Sequence, residues 1–447
     1  MLIQVRTTRR RAARLTAVAA ATACALALAS GAGAVAGAAT SPGAAAQAWS
    51  VDLATLDGDD AGVRYQAGAL HLEPSGAGAS ASASADRSGT GSGSGSGSGP
   101  GPGVPQEVSG QLVAEPTTLA SPAGDVAADV DATAPEGTSV LVDVRGRLTG
   151  QGPDSWTEWV PAGSPLPVPS ETVQARVTLV GEAGVSPAVR TVTLTPGPRR
   201  SQSLQEAETE AAPTSGADSY RVFATREGLV GGTTANGHVI KKRDHFVALP
   251  SRRGLSAKDS GSYSVRVCAE STGRCAYAPV WDVGPWNTTD DYWNGAETRQ
   301  SWADLPQGRP QAQSAYQDGY NGGRDGFGRR VANPAGIDLG DGTFWEGVGL
   351  TDNAWTTVTY LWTGSGRKGI VRTDGRPLTV RSGPSTGRAA VGQAGNHANV
   401  VIECTARGTT ITGTVGTTNV WNRIGRGNWV SDAYVHTGSS GPVAPAC

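Results

Sequence analysis

The sequence predicts an all-β protein that is built from several domains, and three observations support this prediction. Of the 447 residues, 63 are Gly and 27 are Pro, a share that does not suit one uniformly packed core and that indicates linkers. From residue 106 onward, apolar and polar residues alternate in short runs between turn-forming residues, which is typical of half-buried strands. No segment between residues 106 and 198 has the period of a helix.

The N-terminus has the features of an export signal. Five Arg residues precede an apolar stretch at residues 15–29, and small residues typical of a cleavage site follow it. We therefore expect residues 1–40 to be a signal peptide and the mature protein to be secreted to the extracellular space or the cell wall. A single membrane anchor is the alternative, which we favour less because the stretch is short and rich in Ala.

Composition argues against two classes of protein. The formal net charge is −2 at pH 7, which does not suit a protein that binds nucleic acid over its whole surface. No apolar run after residue 40 is long enough to cross a bilayer, so we expect no membrane span after signal removal. The sequence contains no phosphate-binding loop and no serine-hydrolase motif, and we expect no cofactor.

Changes in composition divide the first half of the mature chain into four segments. Residues 41–74 contain a short β segment that could dock on the next domain, and residues 75–105 are a flexible linker of Gly, Ser and Pro. Residues 106–198 alternate in the strand pattern and are acidic, which predicts a small β-sandwich. Residues 199–217 are polar and rich in Glu and Ala, which predicts a second linker.

Aromatic residues mark the next domain. Of the 25 Phe, Trp and Tyr residues, 18 lie between residues 218 and 364, so this segment should be the best-packed domain. Its strand signals predict a mainly β barrel with one short helix between Pro306 and Tyr320. Residues 365–447 contain short strands between Gly-rich turns, which predict a small barrel.

Four Cys residues remain after signal removal, and an even number outside the cytoplasm favours disulfides. Cys268 and Cys275 flank a turn-like stretch between two β-rich runs, and a disulfide across a hairpin fits that spacing. Cys404 and Cys447 would then hold the C-terminus in place. A zinc site is the alternative, which the spacing does not favour because no C-x-x-C pair is present.

The C-terminal segment carries the motif LTVRSGPS at residues 378–385, followed by WNRIG at residues 421–425 and WVSDAYV at residues 429–435. In these motifs it resembles the bacterial SH3-like (SH3b) domain. The resemblance implies a small barrel that binds peptidoglycan or another cell-envelope ligand. A module that adds stability without binding a ligand is the alternative.

Three motifs of the central segment occur in a characteristic order: GGTTANG at residues 231–237, VWDVGPW at residues 280–286 and GIDL at residues 336–339. Through them the segment resembles, more distantly, the double-psi β-barrel family, which includes rare lipoprotein A, the expansins and the barrel domains of some lytic transglycosylases. His238 departs from the family pattern, because an acidic residue follows the T-A-N-G loop in rare lipoprotein A.

The candidate catalytic residues are Asp282 and Asp338. Cleavage of a glycosidic bond needs an acid that protonates the leaving oxygen, and an apolar strand can raise the pKa of an Asp toward that use. The resemblance implies that both Asp residues face one groove. Candidate residues for binding sugar in that groove are Trp281, Trp286, Tyr292, Trp293, Asn236 and His238. The alternative for each Asp is a structural role, as an acceptor of backbone N–H bonds in a turn.

Two classes of function remain open. The first is a secreted, monomeric wall protein that binds and remodels peptidoglycan or another cell-wall glycan without cutting it. The second is a lytic transglycosylase or glycan hydrolase with Asp282 as its general acid. His238, Asp244 and His245 also allow a metal site, but histidines in surface loops more often bind no metal, and we expect none.

Overall fold

The computed structural model describes residues 47–74, 107–182, 184–197 and 216–447. The predicted signal peptide at residues 1–40 and the predicted linker at residues 75–105 lie outside the described residues. Only residues 216 and 217 of the second predicted linker are described.

The prediction of an all-β fold with several domains is confirmed. Strands dominate the described residues, and their one α-helix, α1, spans Gln311–Asp318 within the interval that the sequence indicates. Among these residues, no helix is long and apolar enough to span a membrane.

The first unit, called the sandwich unit below, is a nine-stranded sheet that folds over one apolar core. The two longest strands, Thr117–Thr133 and Pro165–Glu182, pair with different neighbours at their two ends. Each therefore contributes to both halves of the folded sheet. The segment before residue 75 belongs to this sheet, because its first and third strands pair with the last strand of the unit. The strands are β1 Trp49–Ser50, β2 Val63–Gln66, β3 Ala69–Leu72, β4 Glu107–Val113, β5 Thr117–Thr133, β6 Ser139–Gly146, β7 Val160–Pro161, β8 Pro165–Glu182 and β9 Ala188–Gly197.

The second unit is a closed six-stranded barrel. Its pairings run β10–β14–β11–β13–β12–β15 and return from β15 to β10. Two of the six pairs, β10–β14 and β11–β13, are parallel, and the other four are antiparallel. The strands are β10 Ser219–Glu227, β11 Val247–Leu249, β12 Ser264–Ala269, β13 Cys275–Val283, β14 Ala335–Gly340 and β15 Ala354–Tyr360.

The third unit follows the barrel after six residues. It packs eight strands around its own apolar core. The strands are β16 Arg367–Val371, β17 Leu378–Arg381, β18 Ala390–Ala394, β19 Asn399–Ile402, β20 Cys404–Thr412, β21 Thr417–Gly425, β22 Asn428–Ser431 and β23 Val435–His436.

Both disulfides that the sequence indicates are present in the structure. Cys268 and Cys275 lie opposite each other in the β12–β13 hairpin and are bonded. The bond between Cys404 and Cys447 joins the start of β20 to the C-terminus.

The described units pack on one another, whereas the predicted linkers at residues 75–105 and 199–217 lie almost wholly outside the described residues. The β-sheet continues from the barrel into the C-terminal unit, because β13 pairs with β18 in parallel. Gly392 permits this approach, since a side chain there would collide with the Cys275 carbonyl. The sandwich unit also packs on the barrel, and its Val113 and Trp159 lie in the barrel's core. Shared cores and a shared sheet therefore join the three units into one body.

Candidate active site

Strand register places the two predicted Asp residues on one wall of the barrel. Asp282 of β13 lies opposite Ala248 of β11, and Ala248 lies opposite Asp338 of β14. Residues directly opposite on neighbouring strands face the same side of a sheet, so both carboxyl groups project from the same surface. Two strand spacings separate their backbones, which is about 10 Å, and only the small Ala248 side chain stands between them.

This surface is the outer side of the barrel wall. Ile337 and Leu339, the neighbours of Asp338, belong to the barrel's core. A β-bulge gives Asp282 the same orientation, because the pairing advances from Val280 to Asp282 while β11 advances by one residue. Bulges commonly re-aim a side chain next to a functional site.

The loop between β10 and β11 folds over this wall and holds Asp282. The backbone N–H groups of Ala235 and Val283 both donate to Asp282 Oδ1, each at 2.8 Å. Gly237 in this loop has φ +87°, and a Cβ there would lie 2.6 Å from the Ala61 side chain. The loop is therefore fixed from both sides, by the barrel and by the sandwich unit.

A third carboxyl group, which the sequence reasoning missed, joins the two Asp residues. Glu227 ends β10 and lies two residues after Thr225, which is opposite Asp338. It is only 5% exposed. Its side chain hydrogen-bonds Asp282. We call Glu227, Asp282 and Asp338 the carboxyl cluster.

Burial raises the pKa of each member of the carboxyl cluster. The pKa of Glu227 lies well above its ordinary value because of burial first and then the nearby charge of Asp282. Burial also raises the pKa of Asp282, while the bonds from Glu227 and the two backbone amides act in the opposite direction. Glu227 therefore holds the proton that it shares with Asp282.

Asp338 is the most enclosed member of the carboxyl cluster. It is 3% exposed, and burial raises its pKa to about 7. The Thr225 hydroxyl donates to Asp338 Oδ1, while Oδ2 has no hydrogen-bond partner among the described residues. Carboxyl groups with raised pKa values in one place are characteristic of sites of acid–base chemistry.

The structure does not support the predicted sugar-binding aromatic residues. Tyr292 and Trp293 are fully buried in the barrel's core, so neither ring can stack on a ligand. Trp281 packs between Phe246 and His238, and Trp286 packs in a small core beside α1. The expectation that these four rings flank an open groove is therefore wrong, because all are core side chains.

The Asn236 side chain also has a structural role, because its amide group is bonded within the protein. Its side chain donates to the carbonyls of Ser256 and Ala257 and accepts from Thr234. These bonds fix the shape of the loop, and burial leaves no part of Asn236 for a ligand. Its predicted role in binding is therefore corrected to support of the loop.

His238 pairs with Asp244 across the base of the loop, with 2.7 Å between Nε2 and Oδ2. His245 instead faces Glu346, with 3.6 Å between Nε2 and Oε2, so the two His rings do not share one site. Among the described residues, one set of candidate metal ligands converges: Asp57, Asp59 and Asp60, in the segment before β2.

Comparison with known proteins gives a family but no activity. Residues 218–359, which contain almost all of the barrel, match a domain of unknown function (DUF8814). The chain is 40% identical over 86 residues to "Uncharacterized protein YraI" of Bacillus subtilis (strain 168), covering 17% of this chain and 72% of that protein. The chain belongs to the family of YraI. "Uncharacterized protein YraJ" of the same strain is 41% identical to this YraI-family protein over 86 residues, covering 17% of the chain and 73% of YraJ.

Proposed function

We propose that this protein is exported to the cell wall, binds peptidoglycan and cleaves its glycan strand by acid catalysis. One observation carries the proposal: three carboxyl groups with raised pKa values share the outer wall of the barrel. Cleavage of a glycosidic bond needs a proton for the leaving oxygen, and a carboxyl group with a raised pKa can supply it at neutral pH.

The three members have different tasks in this proposal. Asp282 has the largest exposed fraction of the three, so it is the member that faces the leaving group. Asp282 donates its own carboxyl proton to the leaving oxygen, and Glu227, which lies behind it, passes a proton to the resulting Asp282 carboxylate. The attacking hydroxyl or water releases the proton that restores Glu227. Asp338, with a pKa of about 7, is about half protonated near pH 7, which reduces the negative charge around the site.

The barrel's topology supports the resemblance to double-psi barrels. The ring is closed by six strands and contains two parallel pairs. The three motifs that carry the resemblance also meet, because Ala235 of the T-A-N-G loop bonds Asp282 and Asp338 lies one strand away. In lytic transglycosylases of that family, the sugar's own hydroxyl is the nucleophile, so one catalytic acid suffices.

The C-terminal unit is proposed to anchor the protein to the wall. Residues 366–447 contain nine Lys and Arg but only three Asp and Glu, which suits attraction to an anionic wall polymer. The compact fold of short strands around one core supports the resemblance to SH3b domains. The two disulfides are compatible with export to an oxidising compartment.

The test is digestion of purified peptidoglycan with the exported full-length chain. Glu227→Gln and Asp282→Asn should each lower the rate of product release by roughly 100-fold or more, the usual contribution of general acid catalysis. Gln keeps the shape of a protonated Glu and should preserve the fold. Asp374→Asn, an exposed site in the C-terminal unit, is the matched control and should leave the rate unchanged.

Mass spectrometry of the products decides the reaction. Anhydro-muropeptides would establish a lytic transglycosylase, and products with reducing ends would establish a hydrolase. If the protein still pellets with peptidoglycan but releases no products, cleavage is excluded. The second candidate function, binding and remodelling without cleavage, then takes its place. Unchanged rates in both variants would exclude the carboxyl cluster from catalysis.

A further inference from the structure

We propose that the hairpin formed by residues 323–331 is a membrane-contact element, and that its partner is the surface of a bilayer containing anionic phospholipids. The hairpin lies in the long connection between β13 and β14. We call it the Phe327 hairpin, after the residue at its tip. Contact with a membrane is independent of the proposed cleavage of glycan.

The sequence folds the Phe327 hairpin into a tight turn. Arg324 and Arg330 lie opposite each other on its two strands. Asp325 is buried, and its Oδ1 accepts the backbone N–H groups of Phe327 and Arg329, at 3.0 and 2.8 Å. An Asp side chain that bonds the backbone two residues further on is typical of a tight turn. These bonds fix the shape of the tip before any partner binds.

The tip of the Phe327 hairpin presents apolar surface to solvent. Phe327 is 44% exposed, and it stands between Gly326 and Gly328, which have no side chains to cover its ring. The Trp302 ring packs against Gly326, where a Cβ would lie 3.1 Å from it. The Gly326 N–H also donates to Asn287 Oδ1 at 2.8 Å. These contacts hold the tip in place, so the exposure of Phe327 is a fixed property of the fold.

The charges beside Phe327 are predominantly positive. Arg329 is neutralised by Asp325, with 2.6 Å between Nε and Oδ2. Arg324 donates to the Gly328 carbonyl at 2.6 Å, which places its guanidinium group at the tip. Arg324 and Arg330 are exposed, and neither forms an ion pair with a described residue. Like charges directly opposite on neighbouring strands destabilise the pair, and an anionic partner would remove this cost.

A bilayer is the partner that this combination fits. A hairpin tip projects from the surface and does not enclose a small ligand. An apolar side chain beside basic residues is typical of segments that lie in a membrane interface, where the ring enters the headgroup boundary and the guanidinium groups bond lipid phosphates. A soluble phosphate polymer would bind the two Arg residues but would leave the ring of Phe327 unused. Because the contact is small, attachment should be weak and reversible.

The test is sedimentation of the exported full-length chain with vesicles of phosphatidylglycerol and phosphatidylcholine in equal parts, at low ionic strength. Phe327→Ser and Arg330→Gln should each lower the apparent partition coefficient by roughly fivefold or more. Vesicles of phosphatidylcholine alone should bind the wild type less, because they do not attract the Arg residues. Thermal unfolding of the variants checks that the fold is intact.

The C-terminal unit is the other basic surface of the protein, so it provides the matched controls. Val415→Ser removes an apolar side chain that is 40% exposed, and Arg426→Gln removes an exposed charge. Both variants should bind the vesicles like the wild type.

Three results would each overturn the membrane contact. The wild type does not sediment with the anionic vesicles, Phe327→Ser binds them as tightly as the wild type, or Arg426→Gln loses as much binding as Arg330→Gln. The second result would indicate a phosphate polymer or an acidic protein as the partner, and the third would assign vesicle binding to the C-terminal unit. Digestion of purified peptidoglycan should proceed at the wild-type rate in Phe327→Ser, so failure of the membrane contact and failure of the proposed cleavage remain distinguishable.

Discussion

Replacing Trp293 with Ala is expected to lower the free energy of unfolding by about 3–5 kcal/mol, the usual cost of removing a large aromatic side chain from a core. Trp293 is fully buried, stacks on Tyr360 at 5.2 Å between ring centres and meets Trp362 edge to face. Its Nε1 also donates to Glu158 Oε1 of the sandwich unit at 2.6 Å.

The decrease in the free energy of unfolding should be larger than the loss of packing contacts alone would cause. Burial raises the pKa of Glu158 to about 7, and Trp293 is one of two donors that bond its carboxyl oxygens. Without Trp293, one buried oxygen loses its donor, which is costly in an apolar surrounding. Chemical denaturation followed by circular dichroism measures the effect.

The control for Trp293→Ala is Trp355→Ala, which removes a partly exposed ring and should cost much less. Because Trp293 joins the barrel to the sandwich unit, a single unfolding transition at lower denaturant concentration is expected. A variant that keeps wild-type stability but loses glycan binding would contradict the core role and restore the ligand role that the sequence indicates.

Replacing Lys368 with Met is expected to stabilise the protein at pH 7 by about 1–4 kcal/mol, as apolar replacements of buried charges often do. Lys368 is 2% exposed, and its Nζ has no hydrogen-bond partner among the described residues. Burial lowers its pKa to about 8, and the charge of Asp154 only partly offsets this effect.

The sign of the pH dependence follows from this lowered pKa. Between pH 8 and the ordinary value of 10.5, the unfolded chain binds a proton at Lys368 that the folded chain has lost. Wild-type stability should therefore gain a contribution as pH rises through this window, and Lys368→Met should lack that gain. Lys242→Met, at an exposed site, is the control. Destabilisation by Lys368→Met at pH 7 would show that the ammonium group has a stabilising partner.

The sequence was sufficient for the fold class and for several local features. The period-two patterns predict the strands, and the spacing of Cys268 and Cys275 predicts a disulfide across a hairpin. These features depend on neighbours in the chain, which is why pattern and spacing reveal them. Asp282 and Asp338 could be selected as candidates because each ends or occupies an apolar strand motif, and their catalytic roles remain predictions.

Residues whose place at the site depends on the pairing of strands far apart in the sequence could not be found in this way. Glu227 belongs to no motif, and its place beside Asp282 follows from the pairing of β10 with β14 and from the bulge in β13. Its one local signal is the alternation that places it on the same side of β10 as Thr225. Aromatic content, in turn, does not give the direction of each ring, so Trp293 was chosen as a sugar-binding residue although its side chain is buried.

The continuous sheet from β13 to β18 has a consequence for the proposed activity. A barrel on a flexible tether would sample many positions along a wall polymer after its anchor had bound. Here the hydrogen bonds between Cys275–Tyr277 and Gly392–Ala394 hold the carboxyl cluster and the C-terminal unit at a constant offset. An enzyme of this kind would cut at a set distance from its point of attachment, so its products would cluster around preferred lengths instead of forming a continuous distribution.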